Sequence, residues 1–122
     1  MNTVSAETLV RTYYALVDAG DLGLLDLFEA AATYKRPGYD EFAGREQLRQ
    51  FYSSERIIDS GRHTIRTMFV DGLRVGVEGT FHGRLRDGRT VRVPFSDFFD
   101  LDRQPGGLRI KHRRTYFDDQ KV

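Results

Sequence analysis

The sequence predicts an α+β domain in which three N-terminal helices pack on one face of a curved antiparallel sheet. Apolar residues recur every three or four positions in the first half, the spacing of a helix stripe, and from Arg62 onward the period falls to two. The strand-like runs of the second half are separated by Asp71-Gly72, Asp87-Gly88 and Gln104-Pro105-Gly106-Gly107. Asp-Gly between two such runs is a strong hairpin signal. Helices first and a meander after, sharing one core, define the class.

Val4, Ala6, Leu9, Val10, Tyr13 and Val17 form one stripe of a first helix. Ser5 or Thr3 supplies its N-cap, and Gly20 ends it as a left-handed residue. Asp21 caps a short second helix with Leu22, Leu24, Leu25, Leu27 and Phe28 as its apolar content. Thr33 to Arg36 reads as a short strand, broken by Pro37-Gly38. After Gly44 comes a third helix whose buried face holds Leu48, Phe51, Tyr52 and Ile58. Strands follow over residues 63–70, 73–86, 89–101 and 108–117, with Gly76, Gly79 and Gly83 marking bends or bulges.

A chain of 122 residues holds one domain, spanning 1–122, and buries enough surface to fold without staples. With no cysteine, disulfide scaffolds, thiolate metal sites and cysteine nucleophiles are excluded. An apolar share of 39% with nine Phe and six Tyr argues against disorder, and no apolar run is long enough to span a bilayer. The first residues lack a basic start and an apolar stretch, so a cytoplasmic location is expected. The net charge of +1 conceals a split: residues 1–61 carry six basic and ten acidic side chains, residues 62–114 twelve and six. A nucleic-acid footprint is not expected from this, because the arginines alternate around strands without an aromatic–basic recognition motif. His63, His82 and His112 lack ligand-like spacing, so no metal is expected.

Three segments carry a family likeness: Tyr13-Tyr14-Ala15-Leu16-Val17-Asp18-Ala19-Gly20-Asp21-Leu22, Phe42-Ala43-Gly44-Arg45-Glu46-Gln47-Leu48-Arg49-Gln50-Phe51-Tyr52, and Gly88-Arg89-Thr90-Val91-Arg92-Val93-Pro94-Phe95-Ser96-Asp97-Phe98-Phe99. In this order they resemble the nuclear transport factor 2-like superfamily, and within it the ketosteroid isomerases and SnoaL-like polyketide cyclases. The resemblance runs from residue 5 to about residue 117 and implies a cone-shaped fold with an apolar, cofactor-free pocket. It implies an oxyanion-stabilising network of Tyr13, Tyr52 and Asp97, an acid/base role for Asp97, and a homodimer. The isomerases' acidic general base falls on Arg36, and a guanidinium cannot accept a proton.

The residues support a site in their own right. Asp97 is the one charged group on the face formed by Val91, Val93, Phe95 and Phe99. Such a carboxyl either has its pKa raised or finds a partner, and a structural pair with a buried Arg is the competing reading. Tyr13 and Tyr52 lie on buried helix faces, where a hydroxyl needs a partner and can donate to an enolate oxygen. His63 shares its strand face with Ile65, Thr67 and Phe69 and can replace the missing base. Arg36, directed by Pro37, Arg114 near the chain's end, and the rings Phe95 and Phe99 are the substrate-binding candidates; Arg113 adjoins Arg114, and which of the two faces inward stays open.

The expected function is cofactor-independent isomerisation or cyclisation of an apolar oxygenated molecule, polyketide-like or steroid-like, with lyase or epoxide-hydrolase chemistry as variants. Replacing Asp97 is expected to spare the fold and abolish turnover. A non-catalytic binding module of the same fold is the alternative, favoured by Arg36 at the base position. The second sheet face, with Arg74, Glu78, Arg92, Pro94, Ser96 and Phe98, suits a two-fold interface.

Overall fold

The computed structural model describes residues 5–117; Thr3 and Val4, named above for the first helix, lie outside them. Helix α1 spans Ala6–Asp18, and the Ser5 hydroxyl caps it by accepting from the Thr8 amide at 3.1 Å. Gly20 sits at φ +68°, its amide bonded to the Val17 carbonyl and the Asp21 amide to Leu16, a Schellman closure that needs the left-handed glycine. Asp21 then caps Leu22–Leu27, which winds as a 3-10 helix rather than an α-helix.

Strand β1 (Phe28–Lys35) starts well before the expected Thr33, because parallel pairing to the last strand extends it, with a register shift between Phe28 and Thr33. A two-residue strand β2 (Phe42–Ala43) that the sequence did not announce pairs with β1. Helix α2 is only Arg45–Gln50; the chain then widens into a π turn over Phe51–Glu55. The Ser53 and Ser54 hydroxyls bond the Arg49 and Gln50 carbonyls at 2.6 and 3.0 Å, and the Arg56 amide closes on Phe51 at 2.9 Å. Ile58 therefore does not extend the helix face. It opens strand β3.

Strands β3 (Ile58–Asp71), β4 (Arg74–Leu85), β5 (Thr90–Gln104) and β6 (Gly107–Tyr116) form the meander. The six-stranded sheet has the order β2-β1-β6-β5-β4-β3, antiparallel except for β1 with β6. Gly79 faces the bulge between Ile65 and Thr67, and a Cβ there would lie 2.2 Å from the Thr64 carbonyl oxygen. That bulge flips the strand's phase. Beyond Ile65 it is Met68 that packs inward, whereas Phe69 is 69% exposed, so His63 and Phe69 do not share a face.

Helix α1 lies across β3, β4 and β6 and buries Leu9, Val10, Tyr13, Tyr14 and Val17 against Val75, Val77, Phe95 and Phe99 of the sheet's inner face. Among the described residues, no helix is long and apolar enough to cross a membrane.

Candidate functional site

A cavity of about 430 Å³, its open mouth included, lies between α1, the π turn and the inner sheet face. Its walls include Phe81, Val93, Phe95 and Ile58, and its polar groups come from Tyr13, Tyr34, Tyr52, His63, Arg36, Arg56, Arg113 and Thr115. The fold thus brings Tyr13, Tyr52, His63, Arg36 and Phe95 together, although they stand far apart in the chain. It does not bring in Phe99, which is fully buried behind the wall against Tyr13 and Tyr14.

Strand register decides the question left open at Arg113 and Arg114. Arg113 stands opposite inward Phe99 and Arg114 opposite outward Phe98, and cross-strand partners share a face. Arg113 is buried, while Arg114 is exposed and, among the described residues, hydrogen-bonds the Tyr116 hydroxyl at 3.4 Å. The substrate-binding assignment of Arg114 is corrected accordingly: the inward arginine is Arg113.

Asp97 is fully buried and does not line the cavity. Arg113 Nη2 donates to its Oδ2 at 2.8 Å, the Tyr14 hydroxyl donates to the same oxygen, and the Thr115 hydroxyl donates to Oδ1. Burial alone would raise its pKa, but the Arg113 charge and these hydrogen bonds outweigh that and hold it below the usual carboxylate range. A carboxylate so held is ionised at neutral pH and has no open path to a ligand. This placement does not itself support the expected role as proton carrier; what the carboxylate contacts is Arg113, Tyr14 and Thr115.

On the other side of Arg113, Nη1 donates to the Tyr13 hydroxyl at 2.6 Å and to the Tyr52 hydroxyl at 3.2 Å, and the two hydroxyls lie 2.5 Å apart. The guanidinium also lies 4.8 Å from the Tyr13 ring centre and 4.5 Å from that of Tyr34. Burial pushes both Tyr13 and Tyr52 up, with Arg113 opposing, so the phenols keep their protons. A protonated pair polarised by a cation is a hydrogen-bond donor set for a developing oxyanion.

His63 is held by Asp18: the ring Nδ1 lies 2.6 Å from Oδ1, and the His63 amide donates to Oδ2 at 2.9 Å. Since the carboxylate can only accept, Nδ1 carries the proton and Nε2 keeps its lone pair. The ring packs among Tyr14, Phe81 and Phe95, and this burial lowers its pKa although Asp18 acts against the shift. It is therefore neutral at pH 7. Asp18 escaped the sequence reading, yet it stands four residues after Tyr14 and so on the same side of α1, a usable signal. Arg56 and Tyr34 escaped it too, with no comparable pattern to mark them.

Arg36 is buried at the cavity wall, its Nη1 3.3 Å from the Tyr34 hydroxyl and its guanidinium 5.1 Å from the Phe51 ring centre. His82 is exposed, and His112 meets Thr33 at 2.5 Å away from the cavity. No cluster of three or more His, Cys, Asp or Glu that could hold a metal occurs among the described residues.

A helical layer over an open, mostly antiparallel sheet, with a polar-floored apolar cavity between them, is the nuclear transport factor 2-like architecture. Residues 10–111 match the model of the SnoaL-like domain, and the chain belongs to that family. No curated protein matches it. Among solved structures, it is similar to the epoxide hydrolase/cyclase-like enzyme SalBIII, which has a role in pyran ring formation in polyether salinomycin (22% identity, TM-score 0.78, 92% of this chain and 89% of that one). It is also similar to a nuclear transport factor 2-like protein of unknown function from Burkholderia pseudomallei (20% identity, TM-score 0.80, 93% and 90%). A third is a protein with a ketosteroid isomerase-like fold from Catenulispora acidiphila, solved with trimethylamine (21% identity, TM-score 0.75, 88% and 83%). Likeness at these identities speaks for the fold.

Proposed function

We propose that the protein is a cofactor-independent cytoplasmic enzyme that isomerises or cyclises a small apolar oxygenated molecule by acid/base chemistry in this cavity. The observation that carries the reading is the pairing of two devices on one cavity wall: a neutral histidine oriented by Asp18, and a tyrosine pair polarised by Arg113. The substrate's carbonyl oxygen accepts from one hydroxyl of the tyrosine pair, whose oxygen in turn accepts from the other. His63 Nε2 takes a proton from the adjacent carbon, and the electron pair of that C–H bond moves onto the oxygen as an enolate. Return of the proton to another carbon is isomerisation; attack of the enolate carbon on an internal electrophile is cyclisation. Asp97 holds Arg113 behind the tyrosines, and Phe95 and Arg36 bound the space. SalBIII, a solved neighbour of the same fold with a role in pyran ring formation, supports cyclisation as a reaction class for such a cavity, its own ring being closed through oxygen.

Removing a positioned base costs a rate factor of roughly 10²–10⁴, and one oxyanion donor about 3–4 kcal/mol of barrier. The test is solvent deuterium uptake at the α-carbon of β-tetralone, with β-naphthol binding as the enolate mimic. Wild type should exchange well above buffer, His63→Gln should lose exchange but keep β-naphthol, and Tyr13→Phe should weaken both. Exchange that survives His63→Gln undiminished would sink the assignment of the base.

A non-catalytic binding module of the same fold is favoured by one observation, the locking of the strand's carboxylate Asp97 into a buried ion pair. Tight β-naphthol binding with no exchange across ketone substrates would select it. The dimer also belongs here: Phe98 and Tyr116, each 50% exposed on the outer sheet face with ring centres 5.9 Å apart, support a two-fold contact between copies.

A further inference from the structure

We infer that the molecule bound in this cavity carries a carboxylate, anchored by Arg56; the inference rests on the cavity being the substrate site and adds the substrate's charge. Three guanidinium groups reach the cavity wall, from Arg36, Arg56 and Arg113, and among the described residues no Asp or Glu lines it. The Arg113 charge is answered from behind by Asp97. Arg36 rests among the rings of Tyr34, Tyr39, Phe51 and Phe117.

Arg56 differs from both. Its backbone is pinned on each side, the amide to the Phe51 carbonyl at 2.9 Å and the carbonyl to Arg86 Nε at 2.7 Å, so the end of the π turn directs the side chain into the cavity. Its Nε is buried without a hydrogen bond, a feature it shares with Arg36 and Arg113, but among the described residues no carboxylate pairs with the Arg56 group. Burial lowers its pKa from the ordinary arginine value; the nearby tyrosines offset part of that, and the like charge of Arg36 adds to it. A half-buried cation facing a cavity whose described lining holds no anion is an arrangement that a ligand anion completes.

The guanidinium fork matches a carboxylate with two parallel N–H···O bonds. The same fork also matches a phosphate, but stripping water from a dianion costs more than from a carboxylate monoanion, and the apolar walls Phe81, Val93, Phe95 and Ile58 offer it nothing in return. The fitting ligand is therefore a monoanion: a small unsaturated or ring-bearing body with a carboxylate at Arg56 and its reacting oxygen toward Tyr13 and Tyr52.

The experiment is calorimetric titration of the full chain with cinnamate, cinnamamide and cinnamylamine, isosteres that differ in charge. Cinnamate should bind wild type about tenfold or more tightly than the amide, the size of a charge-assisted hydrogen-bond pair, and the amine should bind weakest. Arg56→Gln should erase the preference while leaving cinnamamide affinity within about twofold, since the apolar walls are intact; Arg56→Lys should restore part of it. Equal binding of cinnamate and cinnamamide by wild type, no cinnamate binding at all, or a preference that survives Arg56→Gln overturns the inference. If Arg56→Gln fails to fold, the wild-type comparison and Arg56→Lys decide. Tyr13-dependent binding of β-naphthol without carboxylate preference would leave the proposed function standing and remove only the carboxylate; loss of both would remove the two together.

Discussion

Three side chains donate to the Asp97 carboxylate behind the cavity wall, and one of them, Arg113, also polarises both tyrosines. Removing one partner of a buried ion pair leaves an uncompensated charge, at a cost of about 3–5 kcal/mol. Asp97→Asn should therefore lower the free energy of unfolding by about that much in urea titration, contrary to the expectation that such a variant spares the fold. A variant as stable as wild type would show that the pair contributes nothing. The sign of the pH dependence follows from two depressed pKa values. Asp97, held below its unfolded value, contributes stability that is complete above about pH 4 and is lost as pH falls through the folded pKa. His63, lowered by burial, contributes above about pH 6.5 and loses that contribution as pH falls toward its folded pKa. Both weaken the fold on the acid side. Exchange activity should accordingly fall on the acid limb with an apparent pKa under that of free histidine, and a limb at or above it would contradict a buried neutral base.

Among the elements, the short α2 and its π turn matter most for the site. An uninterrupted α-helix would carry Ile58 on its buried face; the wider turn instead ends at Arg56 and starts β3 immediately after. This was not legible in the sequence, where Leu48, Phe51 and Ile58 still show helical spacing. The competition from Ser53 and Ser54 is visible only once their bonds to Arg49 and Gln50 are seen. The hairpins were legible, since Asp71-Gly72 and Asp87-Gly88 place glycine where φ is +59° and +93°. The bulge opposite Gly79 was legible as a bend but not in its consequence, the reversal of phase that turns Phe69 outward. Gly79→Val should separate the β3–β4 backbones and cost about 2–3 kcal/mol, because its Cβ alone would meet the Thr64 carbonyl. Measured stability within a few tenths of wild type would argue that the sheet relaxes freely there.

For the whole molecule, the outer sheet face is where the proposed two-fold contact lies. Its apolar centre of Phe98 and Tyr116 is rimmed by the exposed ion pairs Arg66–Glu78, 3.0 Å, and Arg74–Asp100, 3.0 Å. Such exposed pairs add little stability of their own, and an apolar centre with a charged rim is the anatomy of an interface. Sedimentation at micromolar concentration should give a dimer for wild type and a monomer for Phe98→Asp; a wild-type monomer would refute the contact.

From residue patterning alone came the class of fold, the strand order within the meander, the hairpin turns, and a buried core holding Tyr13, Asp97 and His63. These follow because hydrophobic period and turn chemistry are local properties, written in neighbouring residues. Whether Arg113 or Arg114 faced inward, whether Asp97 met a ligand or a cation, and that Asp18 would hold His63 were decided only in the tertiary structure. Each depends on cross-strand register or on contacts between distant segments, and a one-residue shift in register exchanges every inward side chain for an outward one.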